Sequence, residues 1–230
     1  MTMDKATNPD IGLSIYTNSS DKAPGPLMDI IKETYDSFCT TFRTIKPIVF
    51  FDPMPNLDAS EEYYENLLHI FEDVRMCRSL ADGHYMSIKA HETAFVFNLE
   101  HDWKFVPENI NHNLDEIVET MNDWSVPHLR FNKRSNRPNK GRDGELEERV
   151  IGDIPVCVTK WVSNNPNIIN RDMYRTHCLS FIRNRDFHKP GDHERNMSKT
   201  GYKGAIYGGM GHPATIVHLD GRTRKKRGAK

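Results

Sequence analysis

The run from Pro47 to Phe51 (PIVFF) constrains this chain most: it is apolar throughout, long enough for one strand, and ends on Asp52. A strand with one wet face alternates in polarity, so an unbroken run is typical of a central parallel strand covered on both faces. The segments around it meet that demand. Ile11 to Thr17 (IGLSIYT) is a first short apolar run, closed by the polar loop Asn18-Ser19-Ser20 and punctuated by Pro24, Gly25 and Pro26. Leu27 to Phe42 places Leu27, Ile30, Ile31, Tyr35, Phe38 and Phe42 at helical spacing, with Pro26 just ahead. Ser60 reads as an N-cap, with Glu61 and Glu62 in the first turn of a second helix reaching about Glu72. Val74 to Cys77 is a short strand, Asp82-Gly83 a turn, and Ser87 to His91 part of another helix. Thr93 to Leu99 (TAFVFNL) is the strongest strand. Pro107 opens a helical region to Asn122, with Ile110, Leu114, Ile117, Val118 and Met121 on one face. This alternation predicts a single α/β domain: a mixed, mostly parallel sheet, right-handed crossovers and flanking helices.

The second half is less regular. His128 to Phe131 and Pro155 to Val162 read as strands, Arg171 to Ile182 and His193 to Lys199 as helices, and Thr215 to Leu219 as a last strand. Asn132 to Arg149 is an excursion rich in charge, Gly, Asn and Pro; Asn164 to Asn167 is turn-like, and Tyr202 to Gly211 is glycine-rich.

Composition removes several function classes. With 37% hydrophobic and 27% charged residues the chain is globular, and a formal net charge of −1 gives no overall field for nucleic acid or membrane. Cys39, Cys77, Cys157 and Cys178 form no C-x-x-C pair, which disfavours a zinc knuckle and fits a reduced compartment. The N-terminus has no apolar signal-peptide core, and no run approaches the ~20 residues of a membrane span. These features predict a cytoplasmic protein without a membrane span. Charge is uneven, however: the last nine residues hold Arg222, Arg224, Lys225, Lys226, Arg227 and Lys230.

The chemistry centres on Glu100 and Asp102, which follow the strongest strand at once. Ligands of open parallel sheets bind at the carboxyl ends of the strands. Two acids there can hold a hard cation such as Mn²⁺ or Mg²⁺ through oxygen, leaving its other positions for phosphate oxygens. An acid at a strand end also serves as a cap or a solvated loop residue, and Glu-x-Asp alone does not decide between the two.

The wider pattern resembles the GT-A glycosyltransferases, which use nucleotide-diphosphate sugars. Leu99 to Trp103 reads L-E-H-D-W where that family often has L-E-D-D-W after a hydrophobic strand. IGLSIYTNSSD resembles its opening nucleotide segment, Phe50 to Asp52 its second strand with a terminal acid, Ala81 to His91 (ADGHYMSIKAH) its glycine-containing helix, and YGGMGHPATIVHLDGR a closing pattern with a metal-binding histidine. The likeness covers about residues 11 to 131 well and has the look of small viral or bacterial members. It implies a donor half at 1–125, an acceptor half at 126–221 and a basic tail at 222–230. It also implies a nucleotide-sugar donor, expected to be a UDP-sugar. Thr17, Asn18, Asp52, Lys89, Glu100 and Asp102 would be donor residues, and Glu100, Asp102 and His218 the ligands of Mn²⁺ or Mg²⁺. An inverting member needs a carboxylate base, for which Asp192 and Glu194 are the candidates. Trp161 and Asn165 are acceptor candidates by their chemistry, though Trp is as well a core residue and Asn a turn former. The acceptor would be a glycan or, given the basic tail and the stretch Lys133 to Arg142, a modified DNA base; Glu145, Glu147 and Glu148 work against the latter. Two rival readings remain. One is a nucleotidyltransferase, disfavoured because Asn18-Ser19-Ser20-Asp21 lacks a glycine-rich basic loop; the other is a non-catalytic nucleic-acid-binding protein using the tail.

Overall fold

The structure, a computed structural model, describes residues 10–19, 24–53, 57–138, 146–160, 162–179, 194, 201 and 203–219. The first half alternates as β1 (Ile11–Asn18), α1 (Pro24–Thr41), β2 (Pro47–Asp52), α2 (Leu57–Ile70), β3 (Asp73–Met76), α3 (Leu80–Ala90) and β4 (Phe95–Glu100). Then come β5 (Trp103–Phe105), α4 (Leu114–Asp123), β6 (His128–Arg130), β7 (Glu147–Ile151), β8 (Ile154–Thr159), β9 (Asn167–Asn170), α5 (Arg171–His177), β10 (Gly204–Tyr207) and β11 (Ile216–His218). Nine strands form one sheet in the order β3-β2-β1-β4-β9-β6-β10-β8-β7, and β11 pairs with β5 in a separate two-stranded sheet. Neighbours β3, β2, β1 and β4 are parallel, as are β6 and β10; among the described strands of the large sheet only β8 and β9 run against the rest. The α/β class with a mixed, mostly parallel sheet is as the sequence predicts.

The PIVFF run is buried on both sides for the expected reason. Val49 and Phe51 join Leu13, Ile15, Phe97 and Leu99 in the large core under α1, α2 and α4. Phe50 turns the other way and packs with Tyr16 and Cys77, where Leu80 and Met86 of α3 close over them. Beneath α1 the core is dense in aromatic rings: Phe38 meets Phe97 edge-on at 5.0 Å, and Phe97 stacks on Phe131 at 5.7 Å. The opposite face carries polar groups that find partners within it. Tyr16 Oη donates to Asn98 Oδ1 (2.6 Å), Asn98 Nδ2 donates to Asn167 Oδ1 (3.1 Å), and Asn167 Nδ2 donates to the Asn165 carbonyl (2.8 Å). Buried amides need such partners, because an unmatched one costs about 1–3 kcal/mol.

Several local expectations change. Ser60 is not an N-cap: α2 begins at Leu57, and Ser60 lies buried inside it with its Oγ 2.7 Å from Ser19 Oγ. The helix expected from Pro107 splits, because a 3-10 turn at Pro107–Asn109 ends before Asn113 caps α4 in a reciprocal capping box with Glu116. The turn-like stretch ends at Asn167, where a strand not expected from sequence, Asn167–Asn170, runs between β4 and β6; part of the charged excursion is the edge strand β7, hairpinned to β8 through Gly152 at φ 56. The glycine-rich stretch contains β10, a strand in the sheet's interior. Among the described residues no helix is long and apolar enough to cross a membrane.

One packing contact gives a stability prediction. His91, at the end of α3, sits 2.8 Å from Ser14 Oγ, and a Cβ on Gly12 would lie 2.2 Å from its ring nitrogen, so only glycine fits there. Burial, and then Arg75 and Arg171, push the His91 imidazole down to about 4. Between the ordinary value near 6.5 and that one, the unfolded chain takes up a proton that the folded chain refuses. Stability contributed by the neutral ring is therefore complete above about pH 6.5 and lost as pH falls toward 4, by on the order of 2–3 kcal/mol. Urea unfolding of the wild type and His91→Gln at pH 7 and pH 5 checks this: the wild type should lose more stability between the two, and equal losses refute the assignment.

Candidate active site

The parallel strands β1, β2 and β4 end at one edge of the sheet. Asn18 there pairs with Asp52, and Tyr16 with Glu100. A cleft opens at that edge, lined by Tyr16, Thr17, Asn18, Phe50, Asp52, Cys77, Leu80, Glu100 and His101. Thr17 is buried, and its Oγ1 is 2.7 Å from Tyr63 Oη, which fixes the wall of the cleft. Tyr16 is stacked against His84 at 4.1 Å and forms the floor with Phe50. Asp52 is half-buried; burial, and then neighbouring Asp82, raise its carboxyl above the usual range. Thr17, Asn18, Asp52 and Glu100 are thus brought together as expected. Lys89 is not: α3 starts at the cleft with Leu80 and runs away from it, so nine residues on Lys89 is roughly 13 Å down the helix axis. It is exposed there, with its ammonium 4.9 Å from the Tyr85 ring centre.

The acids after β4 are held by the backbone. His101 N donates to the Tyr16 carbonyl (2.9 Å), continuing the ladder past the strand end, while the Thr34 hydroxyl donates to the His101 carbonyl (2.6 Å). The chain then turns back as β5. β11 lies antiparallel to β5 with His218 opposite Trp103, and Leu219 N donates to the Asp102 carbonyl (2.8 Å). That pairing sets His218 Nε2 3.2 Å from Asp102 Oδ2. Asp102 Oδ1 is buried and accepts no hydrogen bond among the described residues.

Glu100 carries the strongest electrostatic signal at this edge. Its carboxyl is pushed up to about 8, first by burial, then by the negative charges of Asp102 and Glu194, with Lys133 opposing them. Two acids, neighbouring Asp102 and the distant Glu194, therefore act on Glu100. Glu194 is fixed by the loop after β8: Asn164 N and Ser163 Oγ both donate to its Oε1, at 2.8 and 3.1 Å. Crowded carboxylates of this kind either hold a proton or gather a cation. The buried, unmatched oxygen of Asp102 and the acids around Glu100 suit a divalent ion that also takes phosphate oxygens.

Two expectations about ligands change. Among the described residues no three His, Cys, Asp or Glu side chains share one coordination sphere, so Glu100, Asp102 and His218 do not form a three-ligand shell. The reason is local: Glu100 closes β4 on the α3 side, while Asp102 lies in the following turn and His218 reaches it from the small sheet. Asn165, expected to face an acceptor, is buried and donates its Nδ2 to the Phe131 carbonyl (3.3 Å), so it shapes the loop instead. Asp192, Trp161 and the tail 222–230 lie outside the described residues.

Some of the site was not expected from sequence. Tyr16, Cys77 and Leu80 line the cleft, and Asn98 and Asn167 form the amide chain behind it. A polar residue inside an otherwise apolar strand, as at Asn98, is the signal that could have found such a network.

No family model matches the sequence, and no curated protein does. Among solved structures, a CMP:2-keto-3-deoxy-manno-octonic acid synthetase complexed with CTP is similar over 86% of this chain and 89% of that one, at 12% identity and a TM-score of 0.52. S. aureus TarS 1–349 in complex with UDP-GlcNAc is similar over 90% of this chain, also at 12% identity, with a TM-score of 0.50; this chain spans 57% of that fragment. At such identity the likeness is one of fold, and the chain has the mixed-sheet α/β fold shared by these two structures, the GT-A-like class that its sequence resembles.

Proposed function

We propose that this chain is a metal-dependent glycosyltransferase that takes its sugar from a nucleotide-diphosphate donor, best a UDP-sugar. The observation that carries the reading is Glu100, in the lining of a cleft at the carboxyl ends of β1, β2 and β4, with the charges of Asp102 and Glu194 acting on it. Thr17, Asn18 and Asp52 hold the nucleoside in that cleft. Glu100 and Asp102 hold Mn²⁺ or Mg²⁺, with His218 steadying Asp102. A bound ion of this kind neutralises charge growing on a departing diphosphate. Glu194 accepts the proton of the acceptor hydroxyl as that oxygen bonds to the anomeric carbon; the bond from this carbon to the diphosphate oxygen breaks, and its electron pair leaves with the nucleoside diphosphate. Asp192 stays the alternative base on the resemblance, and Trp161 an acceptor residue on its aromatic chemistry.

Thermal-shift screening with UDP, GDP, ADP and CDP, each with and without Mn²⁺, tests the donor class. One nucleotide should raise the melting temperature only when metal is present, because a ligand of the folded state stabilises by mass action. No shift with any pair removes the reading. A second reading, nucleotidyl transfer, draws support from the match to nearly the whole synthetase chain. It predicts stabilisation by a nucleoside triphosphate in preference to its diphosphate and release of pyrophosphate in place of a nucleoside diphosphate.

A further inference from the structure

Lys133 leaves the sheet just past β6, and the two residues before it are clamped through their backbone from two sides. Phe131 N donates to the Pro166 carbonyl (2.8 Å), Asn132 N donates to Thr215 Oγ1 (2.9 Å), and Thr215 N donates to the Asn132 carbonyl (2.8 Å). The Thr215 end of this clamp starts β11, which brings His218 to Asp102. The clamp therefore sets two side chains at the same place. The exposed Lys133 ammonium lies 5.1 Å from the centre of the Trp103 ring, and the Trp103 ring meets His218 edge-on at 4.4 Å. Trp103 is buried, and its indole N–H has no partner among the described residues. Lys133 also stands close enough to Glu100 to offset part of the acids' charge there. Yet it forms no ion pair among the described residues, unlike Lys104 and Lys46, which pair with Glu33 and Glu72.

A lysine held over an aromatic face beside an acid centre is a point charge with three donors and a flexible stem. The ring attracts it only weakly at an exposed site, so a phosphate oxygen can draw it away. Resting on the donor reading above, we infer that Lys133 is a further donor-binding residue, its ammonium taking an oxygen of the nucleoside diphosphate beside the carboxylate-held cation. Metal and lysine then share the charge of the diphosphate, and the cation need not neutralise it alone. The three donors of the ammonium suit non-bridging oxygens and offer nothing to a nucleobase or ribose in particular.

The experiment uses whichever of UDP, GDP, ADP and CDP stabilises the wild type most with Mn²⁺, together with its free nucleoside, by calorimetry or thermal shift on the full chain. Lys133→Met should weaken the metal–diphosphate complex about ten- to a hundredfold and leave the free nucleoside's affinity unchanged. Lys133→Arg, which keeps the charge, should recover most of the loss; it also serves if the methionine variant folds poorly. Wild type stabilised, with Lys133→Met binding the diphosphate equally well, overturns the role of Lys133 and leaves the donor reading standing. A wild type that no metal–nucleotide pair stabilises overturns both. A loss of diphosphate and nucleoside affinity in equal measure assigns Lys133 to the shape of the cleft and also overturns the inference.

Discussion

Asp102→Asn should abolish metal-dependent nucleotide binding and lower sugar transfer by at least about a hundredfold, while the folded state keeps its stability. The substitution preserves volume and shape and replaces an ionised oxygen with an amide. Asp102 Oδ2 faces His218 at 3.2 Å, and Oδ1 is buried without a hydrogen bond among the described residues. An oxygen in that condition contributes nothing to stability that an amide cannot replace, and neutralising it relieves part of the repulsion that raises Glu100. The melting temperature without ligand should therefore stay level or rise. What is lost is the second anionic oxygen donor for a hard cation. A metal that polarises a leaving group supplies several kcal/mol of charge stabilisation, and each ~1.4 kcal/mol is a factor of ten in rate. The measurement is the Mn²⁺-dependent thermal shift with the preferred nucleotide, followed by transfer assayed as release of nucleoside diphosphate. A variant that keeps the full metal-dependent shift removes Asp102 from the metal site and leaves Glu100 without its nearest partner.

The parts of this fold that were legible in sequence are those where one segment's chemistry leaves a single solution. PIVFF has no polar side to offer solvent, so it had to be covered on both faces, and Val49, Phe51 and Phe50 are. TAFVFNL followed by acids placed Glu100 at a strand end, and parallel pairing with β1 puts that end beside Thr17 and Asn18. Segments whose structure depends on distant partners were not legible. The strand Asn167–Asn170 goes unread because it is four residues long and starts on the last residue of an asparagine-rich turn, yet Ile168 and Ile169 are buried between β4 and β6, and Asn167 bonds across the sheet to Asn98. The β10 strand hides in a glycine-rich stretch because Gly204 must admit His128, whose side chain lies 3.3 Å from where a Cβ would be. Lys89 came from the resemblance alone, and it lies away from the cleft because the crossover helix α3 meets the ligand edge at its other end, with Leu80. Glu194 could be named from sequence, but its charge acts on Glu100 from a position set by its hydrogen bonds with Ser163 and Asn164, and no local pattern announces that contact.

That contact carries the second large expectation: Glu194→Gln should lower kcat about a hundred- to ten-thousandfold with little change in affinity for the metal–nucleotide complex. Gln keeps an acceptor oxygen for Asn164 N and Ser163 Oγ, which bond Glu194 Oε1 at 2.8 and 3.1 Å, so the loop after β8 should hold its shape. It cannot accept the acceptor's proton. The split between kcat and binding separates the two roles open to this acid. A base touches only the acceptor, so its loss leaves donor binding intact; a metal ligand loses donor binding and turnover together, as expected for Asp102. Removing the Glu194 charge should also let Glu100 ionise more readily, since Glu194 is one of the charges raising it, after burial and Asp102. Metal binding near neutral pH should then be unchanged or tighter in the variant. Isothermal titration with Mn²⁺ and the preferred nucleotide, set beside steady-state release of nucleoside diphosphate, measures both quantities. A variant that turns over at the wild-type rate excludes Glu194 as the base and turns the assignment to Asp192 or to a retaining reaction, in which no carboxylate need deprotonate the acceptor in this way.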